Sequence, residues 1–283
     1  MNLRKSSLSA RCAVMYTREK NFRKVSLARS ANEVQKILKK GKCKGVLMNR
    51  ILLMVLRNIT RVPGAYIKLC HYAKHSEKYS EKEKYDHIRY ILKMGVDSGN
   101  IDFQILGAEN IPKENGFLIY GNHQGLFDVV ALVAAMPVPI AAVYKKEIEN
   151  LPFIKQIATC TKSFAMDRSD NRQSLEVIQK VTKEVVSGRN YLIFPEGTRS
   201  RNGNEMLEFH GGSFRCAIKA KCPILPIALI DSYKVLDQKN SKPVSVQLHF
   251  LEPIAYDDYK DLKAAELAEL VRSKIETVVK ENT

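Results

Sequence analysis

The sequence predicts an α/β fold, a mixed and largely parallel sheet flanked by helices, preceded by an N-terminal membrane-associated helical hairpin. Three observations carry this reading. Beyond Gly99 the chain breaks into short apolar runs, FLIY at 117–120, IAAVY at 140–144, YLIF at 191–194 and ILPIALI at 224–230. Their length and composition are those of strands buried on both faces. Stretches of helical period stand between them, and that alternation is the pattern of an α/β sheet. Ahead of the sheet, residues 46–59 are strongly apolar yet interrupted by arginines.

Taken in order, residues 1–42 are rich in Arg, Lys and Ser and poor in acids, and they are expected to form a basic, poorly ordered extension. Such a composition resembles a transit peptide, and it equally fits a start codon placed too early. The second explanation is preferred, because Met48 opens the segment MNRILLMVLRNI. Residues 43–75 are expected to form the interfacial hairpin. Arg50, Arg57 and Arg61 fall on one side of a helix, where they would face lipid phosphates. The longest uncharged run there, 51–56, is far short of the about 20 apolar residues that a spanning helix needs. Pro63 and Gly64 are expected to break this helix, with a second one from Tyr66 folding back beside it. The competing reading is an amphipathic helix packed on the protein's own core.

Residues 76–283 are expected to form one domain that carries the chemistry. Tyr79, Tyr85, Ile88, Ile91, Leu92 and Gly95 recur among charges at a helical period, which predicts a surface helix over 76–95. Leu175, Ile178, Val181 and Val185 mark a helix that ends near Gly188, and 261–280 forms another. Val244, Val246, Leu248 and Phe250 alternate with polar residues, so this late strand is expected to have one wetter face or an edge position.

The net charge of +16 is concentrated at one end. Residues 1–62 hold sixteen Lys and Arg against Glu19 and Glu33, which leaves thirty basic and twenty-eight acidic residues for the rest. A basic segment of this kind suits an anionic partner: nucleic acid, phospholipid headgroups or an acidic carrier protein. A solvated arm is the plainer alternative. Six cysteines show no C-x-x-C pair and follow no apolar leader, so reduced thiols on the cytoplasmic side are expected, with Cys216 and Cys222 in the core.

The first candidate site follows the strand at 117–120, in Gly121-Asn122-His123-Gln124-Gly125-Leu126-Phe127-Asp128. The carboxyl end of a buried strand is where α/β proteins place their sites. Moving an acyl group from a thioester to an alcohol requires a group that takes the hydroxyl proton, and imidazole suits that task at neutral pH. His123 would be the base. Asp128, in the first turn of the next helix, can accept the other ring N–H, with the substrate oxygen itself as nucleophile. A helix-capping role is the alternative for Asp128.

The second site is Phe194-Pro195-Glu196-Gly197-Thr198-Arg199-Ser200-Arg201. Gly197 permits close approach of backbone to a ligand, a backbone N–H near it is a candidate for oxyanion stabilisation, and an arginine offers paired donors to phosphate. The turn reads as a phosphate and glycerol clamp, with an exposed charged turn as the alternative. Arg168, in Met166-Asp167-Arg168, is a further cation for the same end of the sheet or a plain surface residue.

These blocks resemble the glycerolipid acyltransferases typified by 1-acyl-glycerol-3-phosphate acyltransferase, the PlsC-like family, over roughly residues 46–255. The family's N-H-x-x-x-x-D block is matched by Asn122, His123 and Asp128. Its F-P-E-G-T-R-S block is matched by 194–200 without a change, its arginine block by Arg168, and its proline block by Leu225-Pro226-Ile227. The resemblance implies that His123 and Asp128 are catalytic, that Arg168, Glu196, Gly197, Thr198 and Arg199 bind the acceptor, and that Asn122 and Pro226 support them. It also implies a lysophospholipid acceptor, an acyl-CoA or acyl carrier protein donor used as co-substrate, no cofactor and no metal, and a membrane-associated enzyme. Gly125 departs from the Ser or Thr of many members, and Lys162-Ser163-Phe164-Ala165 lacks the usual Gly and Phe, which bears on headgroup and chain selection.

Glycerol 3-phosphate or another lysolipid is the alternative acceptor. A basic nucleic-acid-binding protein is the reading of another class; the lack of Trp and of a nucleic-acid motif speaks against it. A metal hydrolase would need more than His71 and His75, four apart on a charged helix without H-E-x-x-H.

Overall fold

The computed structural model describes residues 49–238 and 240–283. The expected basic extension, 1–42, and the first residues of the expected hairpin, 43–48, lie outside the described residues.

Two short helices come first. Helix α1 (Arg50–Arg57) is capped by Asn49, whose side chain accepts from the Ile51 N–H. Helix α2 (Val62–Lys74) follows after a turn. Pro63 and Gly64 do not form the break but stand in the first turn of α2, where a proline's missing N–H has no intrahelical partner to lose. The break falls at 58–61, and Asn58 closes α1 by donating from its Nδ2 to the Met54 carbonyl and to Ser98 Oγ.

Arg50 does not face outward. It is fully buried, and its Nε–H donates to the Val235 carbonyl at 2.8 Å. Its Nη1 donates to Gly99 and Asn100, and its Nη2 to Lys242. Four carbonyls therefore replace the lipid phosphates expected around this cation. Arg57 donates to the Ser98 carbonyl and to Asn100 Oδ1. The same two helices leave Ile51, Leu52, Val55, Ile59 and Ile67 exposed. Among the described residues, no helix is long and apolar enough to cross a membrane.

Helix α3 (Glu81–Ser98) starts with a reciprocal cap, Ser80 and Glu83 each satisfying the other's backbone N–H. It buries Tyr85, Ile88 and Leu92, and Lys84 is buried with them, its Nζ donating to the Ser76 carbonyl and Oγ. The sheet comprises β1 (Ile101–Leu106), β2 (Leu118–Gly121), β3 (Ile140–Lys145), β4 (Phe164–Met166), β5 (Asn190–Ile193), β6 (Ile224–Ile230) and β7 (Val244–Phe250). Their order is β1-β7-β6-β2-β5-β3-β4, parallel throughout except between β6 and β7. This is the mixed, mostly parallel sheet that the sequence predicts. The four apolar runs fall on β2, β3, β5 and β6, and β7 has the wetter face that its alternation implied. The sequence reading passed over β1, which pairs only with β7.

Helices α4 (Phe127–Ala135), α5 (Ile154–Thr161), α6 (Asn171–Val186), α7 (Arg215–Ala220), α8 (Tyr233–Leu236) and α9 (Ala264–Glu281) complete the fold. Alternate strand residues divide the core into two layers. Phe117, Ile119, Leu192, Leu225 and Ile227 pack with residues of α2, α3 and α4. Leu118, Tyr120, Tyr191, Ile193 and Ile224 pack with α6, α7 and α9. Both faces of the central strands are thus covered, which is why they read as unbroken apolar runs.

Replacing Arg50 with Leu strands the carbonyls that it serves. With hydrogen bonds to a charged group contributing about 1.5–3 kcal/mol each, a destabilisation of at least ~2 kcal/mol is expected in a denaturant melt. A loss below about 0.5 kcal/mol, the scale of an ordinary surface substitution, would contradict the clamp.

Candidate active site

Strands β5, β2 and β6 are adjacent and parallel, so the loops that follow them emerge at one end of the sheet. They are the segments 122–126, 194–201 and 231–237. The first two carry the sequence blocks, and the third was not anticipated.

Asn122 fixes the direction in which the first loop leaves β2. Its side-chain amide donates to the Leu229 carbonyl and accepts from the Leu229 N–H, both at 2.8 Å, which locks the loop to β6. His123 follows, and its Nδ1 lies 2.7 Å from Asp128 Oδ2. Asp128 stands in the first turn of α4 with no exposed surface. The same Oδ2 accepts from the N–H groups of Gln124 at 2.7 Å and Gly125 at 3.0 Å, while Oδ1 accepts from the Ser232 hydroxyl. A carboxylate at Nδ1 keeps the proton there and leaves Nε2 with its lone pair. The imidazole stacks on Phe194, with ring centroids 4.2 Å apart and planes 12° from parallel. The His123 side chain retains 16% exposure where Asp128 has none, so the imidazole can be reached and the carboxylate cannot.

Glu196 is buried, and both oxygens are engaged by backbone: Oε1 accepts from the His123 N–H at 2.7 Å and Oε2 from the Leu207 N–H at 3.2 Å. It acts as a strut between the two loops, with one backbone N–H on each oxygen. Burial pushes its carboxyl up to about 7, against the pull of the two backbone donors.

Gly197 has a φ of +70°, the left-handed region that disfavours other residues, and a Cβ there would meet His210 Cδ2 at 3.2 Å. Its N–H donates to the Phe194 carbonyl within the turn. The Ser200 N–H donates to the His123 carbonyl at 3.0 Å and joins the two loops a second time. Thr198 is exposed. Arg199, about a third exposed, pairs through Nη1 with Asp237 Oδ1 at 2.7 Å.

Arg168 is exposed on the turn after β4 and makes no hydrogen bond or ion pair among the described residues. Sheet order separates β4 from β2 by β5 and β3, roughly 14 Å at three strand spacings, a distance that no single side chain spans. Pro226 sits inside β6, opposite Tyr120, and its carbonyl accepts from the Leu251 N–H. It belongs to the sheet beneath the site.

Sequence reasoning missed Gln124 and Ser232. Gln124 donates from Nε2 to Leu229 and Asn204 and accepts the Ser232 N–H, while Ser232 serves Asp128. The available signal was positional: a strand predicted to end at Ile230, parallel to β2, delivers its next residues to the same end. The rings of His71 and His75 are neighbours, with centroids 4.9 Å apart and planes tilted by 51°, and His71 Nε2 lies 2.8 Å from the Tyr79 hydroxyl.

A family model described as Acyltransferase matches residues 102–230, from β1 to the end of β6. A 1-acyl-sn-glycerol-3-phosphate acyltransferase of Salmonella typhimurium is 33% identical over 170 residues, covering 59% of this chain and 68% of that protein. The chain belongs to the acyltransferase family. Proteins of the same description from Saccharomyces cerevisiae and Helicobacter pylori are 28% and 35% identical over 187 and 147 residues. The chain spans only 61% and 60% of their lengths. In fold it resembles the crystal structure of the 1-acyl-sn-glycerophosphate acyltransferase PlsC from Thermotoga maritima, with a TM-score of 0.68 at 22% identity over 82% of this chain and 95% of that one.

The raised Glu196 carboxyl makes a pH prediction. Between about pH 4.5 and pH 7 the folded acyltransferase keeps a proton that the unfolded chain has released, so this group's contribution to stability declines as pH rises through that window. The difference in melting temperature between wild type and Glu196→Gln should therefore shift against wild type from pH 5 to pH 7. Parallel melting profiles across that range would show that Glu196 does not titrate there.

Proposed function

We propose that this chain transfers an acyl group from an acyl-CoA or acyl carrier protein thioester to the sn-2 hydroxyl of 1-acyl-sn-glycerol 3-phosphate, giving phosphatidic acid. The observation that carries it is the ring of His123, held through Nδ1 by a buried carboxylate while the side chain keeps some exposure to solvent. Nε2 takes the hydroxyl proton as the oxygen attacks the thioester carbonyl, and Asp128 offsets the charge that appears on the ring. The carbon–sulfur bond then breaks and the imidazolium returns its proton to the departing thiolate. The substrate oxygen is the nucleophile throughout, so no acyl-enzyme forms and no cofactor takes part.

Arg199 supplies the phosphate contact, with Thr198 beside it and Arg168 as a further cation at the same end of the sheet. The exposed apolar residues of α1 and α2, flanked by Arg61 and Lys68, support docking of these helices on an anionic membrane surface at its cytoplasmic face. A single-chain lipid acceptor fits an active site that sits on a membrane.

The test is acyl transfer from a labelled thioester to 1-acyl-sn-glycerol 3-phosphate in detergent micelles. Wild type should make phosphatidic acid, and His123→Ala should lose roughly two to four orders of magnitude in turnover, the scale of a general base. Turnover by His123→Ala within a few-fold of wild type would overturn the assignment. Product from glycerol 3-phosphate or from another lysolipid, but not from the 1-acyl phosphate, would move the acceptor and keep the reaction. Arg199→Ala should raise the acceptor KM with little change in kcat.

A further inference from the structure

The third loop brings Asp237 to a place that the reaction as proposed leaves unused. Asp237 follows the last residue of α8, and its Oδ1 holds Arg199 Nη1 at 2.7 Å. Its Oδ2 lies against Gly125 of the His123 loop, so close that a Cβ on residue 125 would collide with it. Gly125 donates its N–H to Asp128 on the other side. One carboxylate thus touches the loop that carries the base and the arginine that faces the acceptor, and it fits only because residue 125 has no side chain.

We infer that Asp237 is a positioning residue that aims Arg199 at the acceptor's phosphate, and that Gly125 is the glycine which admits it. This rests on the phosphate role proposed for Arg199. A guanidinium offers two bidentate edges to a phosphate, one along Nε and Nη2 and one along Nη1 and Nη2. Asp237 occupies Nη1 and leaves the Nε–Nη2 edge, whose donors have no protein partner among the described residues. The pairing selects one edge and removes rotamers that a free arginine would otherwise sample. Both side chains remain about a third exposed, and an ion pair at that exposure contributes little to folding. Loss of Asp237 should therefore register in acceptor binding and leave the fold intact. The pairing also accounts for a glycine where the resembling family has Ser or Thr, since a side chain at 125 would expel the carboxylate.

Steady-state kinetics with 1-acyl-sn-glycerol 3-phosphate, at saturating thioester, test this with Arg199→Ala, Asp237→Ala, Asp237→Asn and Gly125→Ala, each checked for folding by thermal melt. Asp237→Ala should raise the acceptor KM about three- to tenfold with kcat within twofold, and Asp237→Asn, which keeps an oxygen for Nη1, should recover part of it. Gly125→Ala should raise KM similarly, and Gly125→Ala combined with Asp237→Ala should be no worse than the larger single effect, the non-additivity of two changes that break one contact. If Arg199→Ala raises KM while Asp237→Ala and Asp237→Asn leave it unchanged or lower it, the positioning role is wrong and the phosphate contact stands. Additive effects of the Gly125 and Asp237 changes would likewise overturn the pairing. If Arg199→Ala leaves KM unchanged, the phosphate role falls and this inference falls with it.

Discussion

The site depends on a carboxylate with no access to water. A buried charge without partners costs several kcal/mol, and Asp128 offsets that cost with four donors: the His123 ring, the Gln124 and Gly125 N–H groups and the Ser232 hydroxyl. Three of the donors come from one loop and the fourth from the end of β6. The His123 loop cannot relax without stranding the carboxylate, and the 231–237 segment cannot move away without removing a donor. Orientation of the imidazole is in this sense a by-product of satisfying Asp128. Glu196 adds a second buried carboxylate on the far side of His123, tied to that residue's own N–H. The base is held by its ring from one direction and by its backbone from another.

Sheet topology makes this arrangement possible. Parallel neighbours end at the same edge, so β5, β2 and β6 deliver three loops side by side although they are far apart in sequence. The antiparallel pairing begins only at β7, beyond the last strand that contributes. Asn122 couples the ends of β2 and β6, and Ser200 couples the loops after β5 and β2. Short backbone and amide contacts of this kind hold a site on rigid elements better than long side chains do, and Arg199, with its longer reach, stands partly exposed beside them.

How much of this was legible in the sequence follows from the range of each interaction. Strands β2, β3, β5 and β6 were legible because burial on both faces leaves an unbroken apolar run. Strand β1, with Asp102 and Gln104 on an edge, leaves no such mark. His123 and Asp128 were legible because one turn of chain joins them. Ser232 and Asp237 were not, because their partners stand 104 and 38 residues away and nothing local marks either residue. The backbone contacts of Glu196 to His123 and Leu207 were not legible either, since a motif records that a carboxylate is needed and not which way it points. Gly125 was noticed as a departure, and what a side chain there would meet, Asp237 and the Tyr233 backbone, lies more than a hundred residues on.

Arg50 shows the same limit at the N-terminus and changes how the first helices are understood. An arginine in an apolar, membrane-directed segment reads naturally as a phosphate ligand. The structure turns it inward onto four carbonyls, one of which belongs to Val235, three residues after Ser232 and two before Asp237. Helix α1 therefore has two distinct faces. Ile51, Leu52 and Val55 are left to the outside, while Arg50 and Leu53 are built into the domain that carries the site. Packing on the protein's own core describes one side of these eight residues, and the other side is an exposed apolar surface. The helix that offers an apolar surface to the outside is hydrogen-bonded to the loop that orients Asp128. The N-terminal helices are for that reason part of the active-site architecture, and the boundary at residue 75 that composition suggested is crossed by its strongest polar contact.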